Sequence, residues 1–133
     1  EFRATRGKNI YVANTTGPAL GIPSGLDVQV FEADALRTIE AESIDPEARE
    51  HVSVPFYRAD TAARWKPRFV EFFPADLCRS VWLSLDYQED YDLIRSIHDE
   101  LSARNPAFGS REMIDACLAR PEATRACLSL RGM

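Results

Sequence analysis

Hydrophobic and polar positions along this chain follow two periods, one near two residues and one near three and a half, and the switches between them mark its elements. Asn9 to Asn14 (Asn-Ile-Tyr-Val-Ala-Asn) is rich in β-branched and aromatic residues and reads as a strand running into Thr15-Thr16-Gly17-Pro18. Gly17, Gly21 and Gly25, with Pro18 and Pro23, predict an irregular loop up to Gly25. From Leu26 to Phe31 apolar and polar side chains alternate, which predicts a strand carrying Asp27 and Gln29 on one face. Beyond it Ala35, Leu36 and Ile39 recur at helical spacing, with Asp34 placed to cap the helix.

Asp45-Pro46 is a helix start, since Asp accepts from an orphan backbone N–H and proline has no N–H to waste in the first turn. Pro55 limits that helix to two turns, and Tyr57 through Arg64-Trp65-Lys66-Pro67 reads as a charged loop. A strand from Arg68 to Phe73 ends at Pro74, and a second, more buried strand from Ser80 to Leu85 delivers the chain to Asp86. Asp86 and Glu89 have the spacing of a capping box, and Leu93, Ile94, Ile97 and Leu101 mark one face of the long helix that follows. Asn105-Pro106 closes it. Ser110 caps a helix carrying Met113, Ile114, Cys117 and Leu118, and a last one runs from Glu122 to Leu130 after Pro121. Strands and helices interspersed in this way predict an α/β fold, a partial mixed sheet with flanking helices.

A length of 133 residues predicts one domain, 1–133, with a hydrophobic core of its own. The formal net charge of -5 is spread over mixed-sign segments such as Asp45 to Glu50, so no stripe invites nucleic acid, and a phosphate-bearing ligand would need a divalent cation or local guanidinium groups. Cys78, Cys117 and Cys127 form no Cys-x-x-Cys pair, and an odd count suits a reducing, cytoplasmic setting. No apolar run approaches the roughly 18 residues of a membrane span. The sequence contains neither common Gly-rich phosphate loop, no His-Glu-x-x-His, no Gly-x-Ser-x-Gly and no zinc-type Cys/His pairing.

Three segments in order carry a more specific message: Gly25-Leu26-Asp27-Val28-Gln29-Val30-Phe31, then Asp45-Pro46-Glu47-Ala48-Arg49-Glu50-His51-Val52-Ser53, then Leu85-Asp86-Tyr87-Gln88-Glu89-Asp90-Tyr91-Asp92-Leu93-Ile94. Together they resemble the blocks of the spore-coat-polysaccharide-type cytidylyltransferases, which make CMP-activated sugars, over about residues 9 to 109. Residues 110 to 133 form a helical segment beyond the resemblance. The likeness is to the C-terminal half of that family, whose nucleotide-diphospho-sugar transferase fold is GT-A-like and Rossmann-like. The N-terminal half, with its Gly-rich CTP-gripping loop and a first metal-binding Asp, has no counterpart in this sequence.

The resemblance implies that Asp86 contributes to a Mg²⁺ site completed only in the whole enzyme, and that Asp27, Gln29, Arg49 and His51 line the acceptor-sugar pocket. It implies CTP and an acceptor sugar as ligands, no catalytic residue in this half, and inactivity of the chain alone. A homodimer, or association with the missing half, would cover the sheet edges left open. Gln29 stands where the family has Glu, Ser53 where it has Thr, and Tyr87-Gln88 where it has Thr-Pro, which leaves the acceptor's identity open. Each residue also has a plain structural reading: Asp86 as a helix cap, Asp27 as the solvent side of a strand, His51 as a surface imidazole beside Glu47 or Glu50. The rival reading of the whole chain is a stand-alone, non-catalytic binding or dimerisation module.

Overall fold

The computed structural model describes residues 11–16 and 19–132. The protein is mixed α/β, and its contacts gather into two compact units, Glu1–Gly21 with Val28–Phe72 and Ile22–Asp27 with Phe73–Met133. Asn9, Ile10, Gly17 and Pro18, which belong to the expected first strand and its turn, lie outside the described residues. No helix among the described residues is long and apolar enough to cross a membrane.

In the first unit β1 (Tyr11–Ala13) is the buried centre of a three-stranded sheet. It pairs antiparallel with β4 (Gln29–Phe31), Tyr11 opposite Phe31, and parallel with β5 (Arg68–Phe69), Val12 opposite Arg68. Two short strands, β2 (Thr15–Thr16) and β3 (Ala19–Leu20), form a separate antiparallel pair. Four helices lie between β4 and β5: α1 (Ala33–Glu42), α2 (Pro46–Glu50), α3 (Val54–Tyr57) and α4 (Ala62–Trp65). The last three are far too short to persist alone, because helix nucleation is costly and one turn returns little. What holds α3 and α4 is the aromatic core: Tyr11 stacks on Phe56 at 5.0 Å between centroids, Phe31 on Phe56 at 5.1 Å, and Trp65 meets Phe56 edge-on at 5.4 Å, while α2 buries Ala48.

Asp45 caps α2 as the sequence predicts, its Oδ1 accepting from the Glu47 N–H at 3.0 Å with Pro46 in the first turn. Other local expectations are corrected. Asp34 is not the cap of α1, which starts two residues earlier than that cap would set, with Glu32 in the cap position; Asp34 lies in the first turn and pairs with Arg37. The segment read as a charged loop holds the last residue of α3 and the whole of α4, and Trp65 is only 6% exposed. Pro55 starts a helix here, since it occupies the first turn of α3. Lys66 then takes a left-handed conformation (φ 48°) that ends α4 ahead of Pro67.

The second unit is a helical cluster with one extended segment. Pro74 precedes α5 (Ala75–Arg79), a helix the sequence reading passes over, and the others are α6 (Gln88–Arg104), α7 (Ser110–Leu118) and α8 (Pro121–Ser129). Val81, Leu83, Leu93, Ile97, Ile114, Cys117 and Cys127 form its core, in which Cys117 is fully buried as expected. Burial pushes the Cys117 thiol up to about 11 and raises Cys127 as well, so both stay protonated and act as small apolar residues. The expected strand from Ser80 to Leu85 is not one. Val81 and Leu83 do alternate inward with half-buried neighbours, but the only bridge of this segment among the described residues joins Trp82 to Ser24. Alternation makes a segment extended; only a partner backbone makes it a strand.

Candidate functional site

The junction leading into α6 is where the predicted chemistry concentrates. Asp86 and Tyr87 both aim their backbone N–H groups at the Asp90 carboxylate, at 3.0 and 2.9 Å. The cap position is therefore Tyr87, and the capping acid is Asp90 at the third helical position, one residue later than the Asp86-to-Glu89 box predicted. This correction matters chemically, because the Asp86 carboxylate does not serve the helix end. Its Oδ2 accepts instead from Arg131 Nη2 at 2.8 Å.

Arg131 lies just beyond α8 and joins both acids. Its two terminal nitrogens bind Asp90 as a fork, Nη1 to Oδ1 at 3.1 Å and Nη2 to Oδ2 at 2.6 Å, while Nη1 also donates to the Cys127 carbonyl at 2.7 Å. The guanidinium stands 4.5 Å from the Trp82 ring centroid and 5.0 Å from that of Tyr87. A planar delocalised cation suits both the carboxylate fork and the aromatic faces, which a lysine ammonium would not. The Trp82 indole N–H beside it is buried without an acceptor among the described residues.

The electrostatics follow. Burial pushes Asp90 up, but the Arg131 hydrogen bonds and the two backbone N–H groups outweigh it and hold the acid at about 2 rather than its usual 3.8. Arg131 is raised in turn, first by its bond to Asp90. Asp90 is thus the locked member of the cluster, whereas the Asp86 side chain is 53% exposed and held by Arg131 from one side.

Asp27 belongs to the same unit. It is exposed, and its Oδ1 accepts from the Gly25 N–H at 3.0 Å, closing a tight turn. That turn lies directly against the segment that leads to Asp86: Ser24 bridges Trp82, Leu83 N–H donates to the Ser24 carbonyl at 2.9 Å, and the Ser24 and Ser84 hydroxyls are 2.9 Å apart. Gly25 has φ +93°, and a Cβ there would collide with the Leu83 carbonyl group and the Ser84 nitrogen. Both requirements select glycine. The expected face shared by Asp27 and Gln29 does not form, because the strand begins only at Gln29 and Asp27 remains in the turn.

Gln29, Arg49 and His51 belong to the other unit. Gln29 opens β4 opposite Ala13 and is half-buried. Arg49 is exposed in α2, and His51 is the exposed residue that ends that helix, its Nε2 3.9 Å from Glu50 Oε1. That pairing with Glu50 is the plain surface reading of His51.

Among the described residues no group of three or more His, Cys, Asp or Glu converges as a metal cage. Asp86 offers one exposed carboxylate, which fits a cation only as a shared ligand, with phosphate oxygens, water or an acid from elsewhere completing the shell. From the sequence Asp90 reads as a solvated acid of the helix's first turn, whereas it is buried, and Arg131 is not singled out at all. Asp90 had a signal, three residues after Tyr87; Arg131, 45 positions from Asp86, had none. Comparison with models of known protein families, with curated proteins and with solved structures finds no match to this chain.

Proposed function

We propose that this chain is the C-terminal, acceptor-side part of a cytidylyltransferase that makes CMP-activated sugars for surface polysaccharide, with a GT-A-like, Rossmann-like fold in its complete form. The observation that carries the reading is the meeting of two sequence blocks: the Gly25–Asp27 turn packs on the Leu83–Ser84 segment, so the first and third blocks of the resemblance start from one junction. Blocks that lie 60 residues apart in the chain and carry an acceptor-binding and a metal-binding acid gain a reason to occur together when they share a junction.

In this reading a sugar hydroxyl attacks the α-phosphate of CTP and releases pyrophosphate. Mg²⁺, when bound, neutralises the negative charge carried by the phosphates. Asp86 supplies one carboxylate oxygen to it, the rest coming from water, nucleotide and an acid outside this sequence. Asp27 accepts a hydrogen bond from the acceptor, and the Gln29 amide both donates and accepts. Arg49 and His51, which the resemblance also assigns to the acceptor, would offer it a cation and an imidazole. Three buried cysteines accord with a cytoplasmic setting, and the association proposed is a homodimer or docking of the nucleotide-binding half.

Arg131 favours a second reading, a stand-alone binding or dimerisation module, because a guanidinium already serves the Asp86 carboxylate. Joining this chain to an upstream nucleotide-binding half and measuring pyrophosphate release from CTP across a panel of sugars separates the two. Activity that Asp86→Asn abolishes supports the enzyme; tight binding of CTP and Mg²⁺ by the present chain alone contradicts the proposed division of labour.

A further inference from the structure

The first unit carries a concavity that none of the residues discussed above explains. It has a volume of about 560 Å³, within the roughly 300–1,000 Å³ typical of small-ligand clefts, and lies between the end of α1, the Ser43–Asp45 link, and the α3–α4 region. Its charged groups form two clusters, Arg64 with Glu42 and Arg58 with Asp45 and Asp60. Arg64 donates to both Glu42 oxygens, the Nη2–Oε1 bond being 3.1 Å, and its guanidinium lies 4.4 Å above the Trp65 ring centroid. Arg58 donates through Nε to Asp60 at 2.9 Å and through Nη1 to Asp45. Between the pairs the wall is apolar, formed by Ile39, Pro55 and Trp65, and Ile44 stands at its rim almost wholly exposed.

The charge arrangement selects the ligand class. Three carboxylates against two guanidinium groups make the lining unfavourable to an anion, and each guanidinium already has its carboxylate, so a phosphate would have to break a pair to gain one. An ammonium group faces the reverse difficulty, since Arg58 holds Asp45 and Arg64 holds Glu42, with both acids lowered in consequence. A neutral polyol meets neither obstacle. Each pair sets donors and acceptors side by side, and a hydroxyl can donate to the carboxylate while it accepts from the guanidinium. The ring carbons of such a ligand would lie against Ile39, Pro55 and the Trp65 edge of the cleft.

We infer that this cleft is a binding site for an uncharged carbohydrate, gripped at vicinal hydroxyls by the Glu42–Arg64 and Asp45–Arg58 pairs over an apolar floor. The inference stands on the cleft and is independent of the Asp86 reading, since it concerns other residues, needs no nucleotide and no metal, and is tested on this chain as it is.

The test is a ¹⁵N-resolved NMR titration of the chain with glucose, galactose, mannose and N-acetylglucosamine, with inorganic phosphate and ethanolamine as charged probes. Saturable shifts at Ile39, Ser43, Ile44, Thr61 and the Trp65 indole with at least one sugar, and none with either charged probe, are expected. Glu42→Gln combined with Arg64→Gln should weaken the binding about ten-fold or more. Ala63→Gln, which extends a side chain into the cleft and touches neither pair, should do the same and serves if the first variant does not fold. Shifts that fall elsewhere, no sugar binding at all, sugar binding unchanged in the variants, or phosphate or ethanolamine binding in this cleft would each overturn the inference.

Discussion

Asp90 and Arg131, 41 residues apart, hold each other through two parallel hydrogen bonds, and Asp90 spends its remaining capacity on the backbone that starts α6. One carboxylate therefore ties the first turn of the long helix to the end of the last one, with its side chain wholly buried and the guanidinium about nine-tenths so.

Removing one partner leaves the other charged and buried. Arg131→Met is expected to destabilise the chain by about 3–5 kcal/mol, seen as a lower urea midpoint by tryptophan fluorescence. Replacing both, Arg131→Met with Asp90→Leu, should recover part of that loss, though not the two backbone hydrogen bonds of Asp90. A double variant no better than the single one would show that the helix cap, and not the pair, carries the stability.

The same pair sets an acid limit. Asp90 is held at about 2 in the folded chain against 3.8 ordinarily, so the unfolded form binds its proton first as pH falls. Its contribution is fully present above the unfolded value and is lost as pH falls through the folded one, a change of about 2 kcal/mol between roughly pH 4 and pH 2. Urea midpoints measured across that window should decline, and the decline should be shallower in Asp90→Asn; an equal slope in the variant would place the acid sensitivity elsewhere.

Asp86 should behave differently from its neighbour. Its contact with Arg131 is half exposed, so Asp86→Asn is expected to change stability by only about 0–1 kcal/mol. In the joined enzyme the same substitution should lower activity by about 100-fold or more if the acid serves the phosphate site. Loss of folding would assign Asp86 a structural role, and full activity would remove it from the site.

Gly25→Ala tests the junction between the two blocks. The positive φ and the collision with the Leu83 carbonyl predict a loss of about 1–3 kcal/mol, together with faster hydrogen exchange at the Leu83 amide, which donates to Ser24. Unchanged exchange there would mean that the turn is dispensable.

Asp45 has two jobs, capping α2 and holding Arg58, which in turn keeps its carboxyl below the usual range. Asp45→Ala should lower the midpoint of chemical denaturation, and Asp45→Asn, which keeps the cap, should lower it clearly less.

Much of the second unit is legible in the sequence. The long amphipathic pattern Leu93, Ile94, Ile97, Leu101 became α6, and the two helices expected after it are α7 and α8, although Gly109 and not Ser110 holds the cap position of α7 and Pro121 is already inside α8. The Asp45-Pro46 start was equally plain. The expected strands fared worse: Leu26–Phe31 shortened to Gln29–Phe31, Arg68–Phe73 to Arg68–Phe69, and Ser80–Leu85 to a single bridge. At the candidate site the sequence singled out Asp86 and Asp27, and their common junction, Arg131 and the cap by Asp90 came only with the fold.

A helix closes its hydrogen bonds within four residues and buries one stripe of its own surface, so short stretches of sequence carried most of the helices and the mixed α/β class, whereas among the expected caps only Asp45 holds its place. A strand depends on a backbone elsewhere in the chain, and an ion pair on a side chain elsewhere, and no local pattern records either partner. Tertiary structure alone therefore decided how long each strand is, that the Trp65 segment is helical and buried, and that the acid at position 86 faces an arginine 45 residues away.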